Sequence, residues 1–333
     1  MLFVSSAPCK VILFGEHYVV YGSPVLAIAI EPRNRVKFGR WEGAGVSLHS
    51  SYGTGVITRD GAYEGAEELE IYQAVANAVF PNGNVPSCKA EFLPSWKLKG
   101  VGASASFCAA FAAGLFRLAG KTPSTEEIFA AAQAGDLLAH GGRASGIDAK
   151  TVSFGESLIF QRSFEPPEFN SSPANFSLPA GTALFLIDTF RGEKDGTLKM
   201  LETFASQFGV SMTPSEVSGK KRLEIREEYA PVWKKIVGEM KNPDPKRLGR
   251  LMEENHALLR ERKMSSEGIE TAVSSALASG AHGAKLTGAG GEGGAVLVLC
   301  EESSQAGIAR RISEQTGFAC HPISLAKKGA AIE

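Results

Sequence analysis

KVILFGEHYVVYG, residues 10–22, decides how this chain is read. Lys10 opens an apolar run, residues 10–14, that reads as a buried strand. A lysine in such a strand is costly to bury unless a partner compensates its charge. Glu16 and His17 follow directly, and Gly22 closes a turn-rich segment before a second apolar run at 25–30, VLAIAI. A cation at one end and Glu-His at the other thus share one short stretch. Each of the three is also an ordinary residue for a strand end, and a lone histidine is more often structural than functional.

Three further segments carry chemistry. Residues 100–108, GVGASASFC, set two glycines before an Ala/Phe/Leu helix over Ser104–Leu118. Free N–H groups and the positive end of a helix dipole make such a start an anion cradle, formed here by Gly100, Val101, Gly102, Ala103, Ser104 and Ser106. The bland alternative is that the glycines only turn the chain and Ser104 only caps the helix. The string lacks the Gly-Lys-Ser/Thr ending of a Walker loop. Residues 285–294, KLTGAGGEGG, precede the strand AVLVL; successive N–H groups in so glycine-dense a loop form a nest for anions. Residues 140–148, HGGRASGID, read as a loop between a helix and a strand. Asp148 there is either an Asx turn or a carboxylate that takes an alcohol proton. Asp136, one turn before His140, and Ser104 offer the hard oxygens that magnesium prefers.

With 333 residues the chain is expected to form two domains or one large one. Its 35 basic and 36 acidic residues give a net charge of -1, which argues against a nucleic-acid binder. The five cysteines, an odd number with no C-x-x-C spacing, point to reduced thiols in a cytoplasmic protein rather than to zinc or a disulfide framework. No secretory leader and no apolar run approaching ~20 residues is visible, so no membrane association is expected. Assembly is open, a homodimer included.

Periodicity predicts further strands at 35–38, 44–50, 88–93, 156–161, 182–187, 295–300 and 318–324. Helices are expected over 67–80, from Ser124 to about His140, and through much of 197–280 with breaks near Pro231 and at 242–245, and last at 303–316. Ser124 with Glu127 forms a capping box. The proline-rich stretch 163–181 reads as a linker or long loop, dividing the chain into 1–165, a linker at 166–181, and 182–333. Antiparallel runs mixed with helices predict an α+β protein of two domains rather than one doubly wound sheet.

Taken in order, the segments at 7–24, 100–108 and 285–294 resemble the three motifs of the GHMP kinases. Within that superfamily KVILFGEHYVVYG is similar to the first motif of the mevalonate kinases, and Ser145-Gly-Ile-Asp148 to the loop carrying their catalytic aspartate. Asn255-His-Ala-Leu-Leu and AHGAKLTGAGG are similar to that family's C-terminal half. The resemblance implies a ribosomal protein S5 domain 2-like N-terminal domain that binds ATP, a ferredoxin-like C-terminal domain, and a cleft between them. It implies transfer of the γ-phosphoryl of ATP, with Mg2+, to the primary hydroxyl of mevalonate. Asp148 would be the base and Lys10 its partner, Ser104 and Asp136 the metal ligands. Glu16, His17 and the loop Gly288, Ala289, Gly290 and Gly291 would line the acceptor pocket, and residues 100–104 would cradle the triphosphate.

The chain departs from that pattern at Cys9, Val101, Ala103, Ser106 and Glu292, and in a loop before Asp148 that is one residue longer. Arg143, Arg191 and Lys194 are candidate partners for an anionic acceptor. The residues leave open a kinase for phosphomevalonate or a sugar, and a ligand-binding protein without catalysis. Retention of Lys10, Ser104, Asp136 and Asp148 counts against the last.

Overall fold

The computed structural model describes residues 2–96, 98, 100–142, 144–190 and 196–333; Arg143, Arg191 and Lys194 lie outside the described residues. The first half runs β1 (Phe3–Phe14), β2 (Val25–Gly39), β3 (Val46–Ser50), β4 (Gly53–Ile57), β5 (Tyr63–Gly65), α1 (Ile71–Val79), β6 (Cys88–Leu93), α2 (Ala103–Leu118), α3 (Thr125–Ala139), α4 (Ile147–Phe154), β7 (Ser157–Phe164) and β8 (Pro167–Pro173). The second runs β9 (Thr182–Asp188), α5 (Thr197–Gln207), α6 (Gly219–Met240), α7 (Pro245–Glu261), α8 (Glu267–Ala278), β10 (Gly283–Thr287), β11 (Ala295–Glu301), α9 (Gln305–Thr316), β12 (Ala319–Leu325) and β13 (Ala331–Ile332). The architecture is α+β, as the mixture of patterns predicts.

Long strand β2 organises the sheet. Along one edge it pairs with β1, Lys10 opposite Ala29. Along the other it meets β7, then β12 at Ser324↔Glu31, then β6. Through β12 the ladder continues to β9, β11 and β10. The β3–β6 pair is parallel and β3–β4 antiparallel, so 44–50 fits the expected antiparallel pattern on one edge only.

Two hydrophobic cores result. One gathers α1–α4 against Val36, Phe38, Leu48 and Phe92. The other gathers β9–β11 and the helices of the second half against residues 9–14 of β1, the turn Tyr18–Tyr21 and the start of β2. Strands β9 and β11 are covered on both faces, which explains their uninterrupted apolar runs, TALFLI and AVLVLC.

Helix boundaries follow from local chemistry. The capping box is present: Glu127 N–H donates to Ser124 Oγ at 3.3 Å, and Ser124 N–H to Glu127 Oε2 at 2.8 Å. Helix α7 opens with Asp244 accepting from Arg247 N–H at 2.9 Å and with Pro245 in its first turn. Its buried stripe, Leu248, Leu251, Met252, Asn255, His256 and Leu259, includes two polar residues, and both belong to the site.

Three expectations are corrected. Helix α6 runs unbroken past Pro231, held by Ile225, Tyr229, Val232 and Ile236 packed on one face. The proline-rich segment is not all loop, because 167–173 pairs with β7 as a hairpin. Asp148 is not in a loop before a strand but in the first turn of α4.

Helix α7 rests on β10 through Gly249 and Gly283, which face each other backbone to backbone; a methyl on Gly249 would overlap the His282 carbonyl. Gly249→Ala is therefore expected to cost about 1–3 kcal/mol. The readout is a lower urea midpoint at unchanged slope.

Candidate active site

The site is built where β1 meets the two glycine loops. Lys10 N–H donates to the Val101 carbonyl at 2.9 Å, which ties the strand to the loop before α2. Lys10 Nζ reaches Asp148 Oδ1 at 2.8 Å, with the lysine side chain 3% and the aspartate 22% exposed. The lysine thus has the carboxylate that its position in an apolar strand requires, and the carboxylate still opens to solvent. Asp148 also stands in the first turn of α4, at the positive end of the helix and behind Gly146 at φ 93°.

Gly102 explains how Lys10 gets there. It is the left-handed N-cap of α2, φ 67°, and a Cβ on it would lie 2.8 Å from Lys10 Cγ and 2.9 Å from Cε. The lysine stem occupies the space a side chain would need. No side chain caps α2, and its first intrahelical bond is Ser106 N–H to Gly102 O. The N–H groups of Ala103, Ser104 and Ala105 therefore have no intrahelical partner. Ser104, whose hydroxyl does not cap the helix, is exposed beside them.

The second glycine loop lies against the first. A Cβ on Gly288 would come within 3.0 Å of the Gly100 carbonyl and 3.1 Å of its Cα. Thr287 pins this loop to β1: its Oγ1 donates to Ile12 O at 3.0 Å and accepts from Ile12 N–H at 3.1 Å. Ala289 O accepts from His17 Nε2 at 2.9 Å. With Nε2 carrying the proton, His17 Nδ1 is a buried acceptor without a protein partner. Burial lowers His17 to about 4, partly opposed by the Ala289 carbonyl, so the ring is neutral at pH 7. It stacks on Phe204 at 5.2 Å.

Asp136 is buried in the last turn of α3, and its Oδ1 has no hydrogen-bond donor; His140 Nδ1 stands 3.4 Å from it but donates to the Asp136 carbonyl at 2.9 Å. Burial would lower His140, but hydrogen bonding and the charge of Asp136, with Asp148 adding to it, outweigh that and raise it to about 9. A buried carboxylate oxygen that accepts no hydrogen bond and has only the His140 ring near it is a fitting ligand for a hard cation. Among the described residues no three His, Cys, Asp or Glu side chains group as a metal site, so such a cation would rely on few protein ligands.

Several expected residues have other tasks. Glu16 does not line an open pocket. It is fully enclosed, paired with Lys285 Nζ and accepting from Asn255 Nδ2 at 3.2 Å. Ser106 is buried, donates its hydroxyl to Ala7 O at 2.9 Å and does not face the cradle. Gly290 and Gly291 are buried against the Met264 carbonyl, which accepts Gly291 N–H at 2.8 Å, so Gly288 and Ala289 form the accessible part of that loop. Glu292 is exposed on the turn beyond. Cys9 accepts weakly from Asn34 Nδ2 at 3.8 Å, and burial pushes its thiol up to about 12, so it is no nucleophile. The residues given no role by sequence reasoning are Lys285, Thr287, Asn255 and His256. His256 Nδ1 accepts from Leu286 N–H at 3.3 Å while Nε2 faces Glu270 at 3.0 Å. The argument that singles out Lys10, a lysine in an apolar strand, applies equally to Lys285.

Residues 236–316 match the family described as GHMP kinases C terminal. The chain is similar to the mevalonate kinase of Aeropyrum pernix, 30% identical over 335 residues that cover 99% of this chain and 98% of that protein. It is 29% identical to the mevalonate kinase of Thermococcus sibiricus, covering 94% of each. The crystal structure of L. major mevalonate kinase in complex with R-mevalonate superposes with a TM-score of 0.75 at 22% identity, over 99% of this chain and 98% of that one; the likeness establishes a shared fold.

The two site histidines are expected to differ in charge at pH 7, His140 protonated and His17 neutral, as read by NMR of labelled imidazoles. Their effects on stability have opposite signs. His17, depressed to about 4, contributes stability that is complete above pH ~6.5 and lost as pH falls through 4. His140, raised to about 9, contributes stability that is complete below pH ~6.5 and lost as pH rises through 9. A His17 ring that titrates near 6.5 contradicts the enclosed geometry.

Proposed function

The chain belongs to the mevalonate kinase family of the GHMP kinases, and we propose that it transfers the γ-phosphoryl group of ATP to the primary hydroxyl of mevalonate, giving 5-phosphomevalonate and ADP. The observation that carries the mechanism is the Lys10–Asp148 pair, set beside the uncapped start of α2.

Phosphoryl transfer asks the protein mostly for positioning and charge neutralisation. The N–H groups of residues 103–105 and the dipole of α2 receive the phosphates. Asp148, paired with Lys10 at the start of α4, accepts the proton of the acceptor hydroxyl as that oxygen bonds to the γ-phosphorus and ADP departs. Lys10 offsets negative charge on the group in transit. The enclosed, neutral His17 holds the Ala289 carbonyl, and with it the Gly288–Ala289 backbone on which the acceptor would rest. Asp136 and the Ser104 hydroxyl would hold Mg2+, which neutralises phosphate charge when bound. Residues 1–165 and 182–333 would be the two domains flanking this cleft. Among the described residues no helix is long and apolar enough to cross a membrane.

The test is coupled ADP release with Mg-ATP and mevalonate, run in parallel with phosphomevalonate and sugars. Asp148→Asn should lower kcat by about 10²–10⁴, with the KM for ATP nearly unchanged. Equal turnover would remove Asp148 from its role. Lys10→Met takes the cation from Asp148 and from the group in transit, so kcat should fall by about 10²–10³, with the KM for ATP again nearly unchanged.

A further inference from the structure

Lys285 lies outside the set of groups that touch the reacting atoms, yet it and Glu16 are both fully enclosed, each 0% exposed. Its ammonium meets three oxygens: Glu16 Oε1, the Leu286 carbonyl at 2.6 Å and the Ile12 carbonyl at 3.5 Å. Asn255 completes the arrangement. Its Nδ2 donates to the other Glu16 oxygen at 3.2 Å, and its Oδ1 accepts from Gly15 N–H at 3.3 Å. Segment 12–16, the end of β1 and the two residues after it, is thus gripped by side chains from β10 and α7.

The next residue is His17. Its backbone sits at φ 60°, ψ -46°, a positive-φ conformation outside the left-handed helical well and rare for a residue with a side chain, and such a conformation persists only where the surroundings fix it. Its ring donates to the carbonyl of Ala289, four residues beyond Lys285. The contacts therefore close a circuit: Lys285 to Glu16, along the chain to His17, across to Ala289, and back along the loop. Replacing a buried ion pair by apolar side chains is often neutral for stability. What this pair supplies that an apolar pair would not is a fixed direction for Glu16 and the residue after it.

We infer that Lys285 is a positioning residue: through Glu16 and Asn255 it holds His17 against Ala289, and so sets the wall on which the acceptor alcohol rests. The assignment rests on the reading of His17 and Gly288–Ala289 as the acceptor wall. Lys285 also lies close enough to Lys10 for their charges to repel, and burial lowers its pKa while Glu16 opposes that shift. Glu16 thereby keeps the second lysine from disturbing the first.

Steady-state kinetics on wild type, Lys285→Met and the double variant Glu16→Gln/Lys285→Met test this. Lys285→Met should raise the KM for mevalonate by about tenfold to a hundredfold, with the KM for ATP moving by less than about twofold. The double variant removes the stranded carboxylate. It should regain thermal stability while its acceptor KM stays raised, and it serves as the test if the single variant does not fold. A folded Lys285→Met enzyme with a wild-type acceptor KM overturns the inference. So does a double variant in which stability and acceptor KM return together, since the pair would then be a structural contact only. A wild type silent on mevalonate but active on phosphomevalonate overturns the substrate reading alone, and the same comparison is then read with that acceptor.

Discussion

Strand β1 is committed to two hydrophobic cores at once, and the site exists because of that. Ala7 packs with α1–α4, whereas Cys9, Val11 and Leu13 pack with the second half of the chain. Lys10 stands just past the crossing. A strand anchored on both sides has little freedom to slide, and a one-residue slip would turn every side chain to the opposite face. The register Lys10↔Ala29 therefore fixes where the ammonium emerges, and Val101 O and the space over Gly102 fix its path to Asp148. Phosphoryl transfer depends on such placement more than on reactive side chains.

The interior of the site holds more charge than a core of this kind needs for stability. Two lysines, Lys10 and Lys285, lie near enough to repel, and each is offered its own carboxylate, Asp148 and Glu16. The pairs differ in access. Asp148 keeps an opening to solvent, while Glu16 is sealed and has both oxygens occupied. The first carboxylate can be met by a small molecule; the second meets only protein. On the proposed mechanism the first pair acts on the acceptor and the second holds the frame around it.

Much of this was legible in the sequence. The apolar run from Lys10 told of a buried strand needing a counter-charge, and glycine density at 100–102 and 288–291 told of close backbone approach; both describe the structure. Less legible was which residues face the cleft. Glu16 and His17 are neighbours, but the turn at His17 sends one to Lys285 and the other to the Ala289 carbonyl, and no periodicity reveals a residue at positive φ. Ser104 and Ser106 look alike as small hydroxylic residues at a helix start. Two residues apart on a helix they face different ways, and Ser106 turns to Ala7. Pro231 failed to break α6 because a buried face outweighs one missing hydrogen bond. Asn255 and His256 stood out only by resemblance, because by periodicity they share a helix stripe with core residues.

The contact between the glycine loops restricts more than geometry. Gly100 and Gly288 are separated by most of the chain, yet a methyl on the second would press on the carbonyl of the first. The constraint runs one way: a Cβ on Gly100 would meet Thr287 O and Ala295 Cβ at 3.5 and 4.0 Å, not Gly288. A side chain at 288 therefore needs the loop at 100 to give way, and a lineage reshaping this enzyme for a bulkier acceptor would find that position closed to it unless the first loop moved.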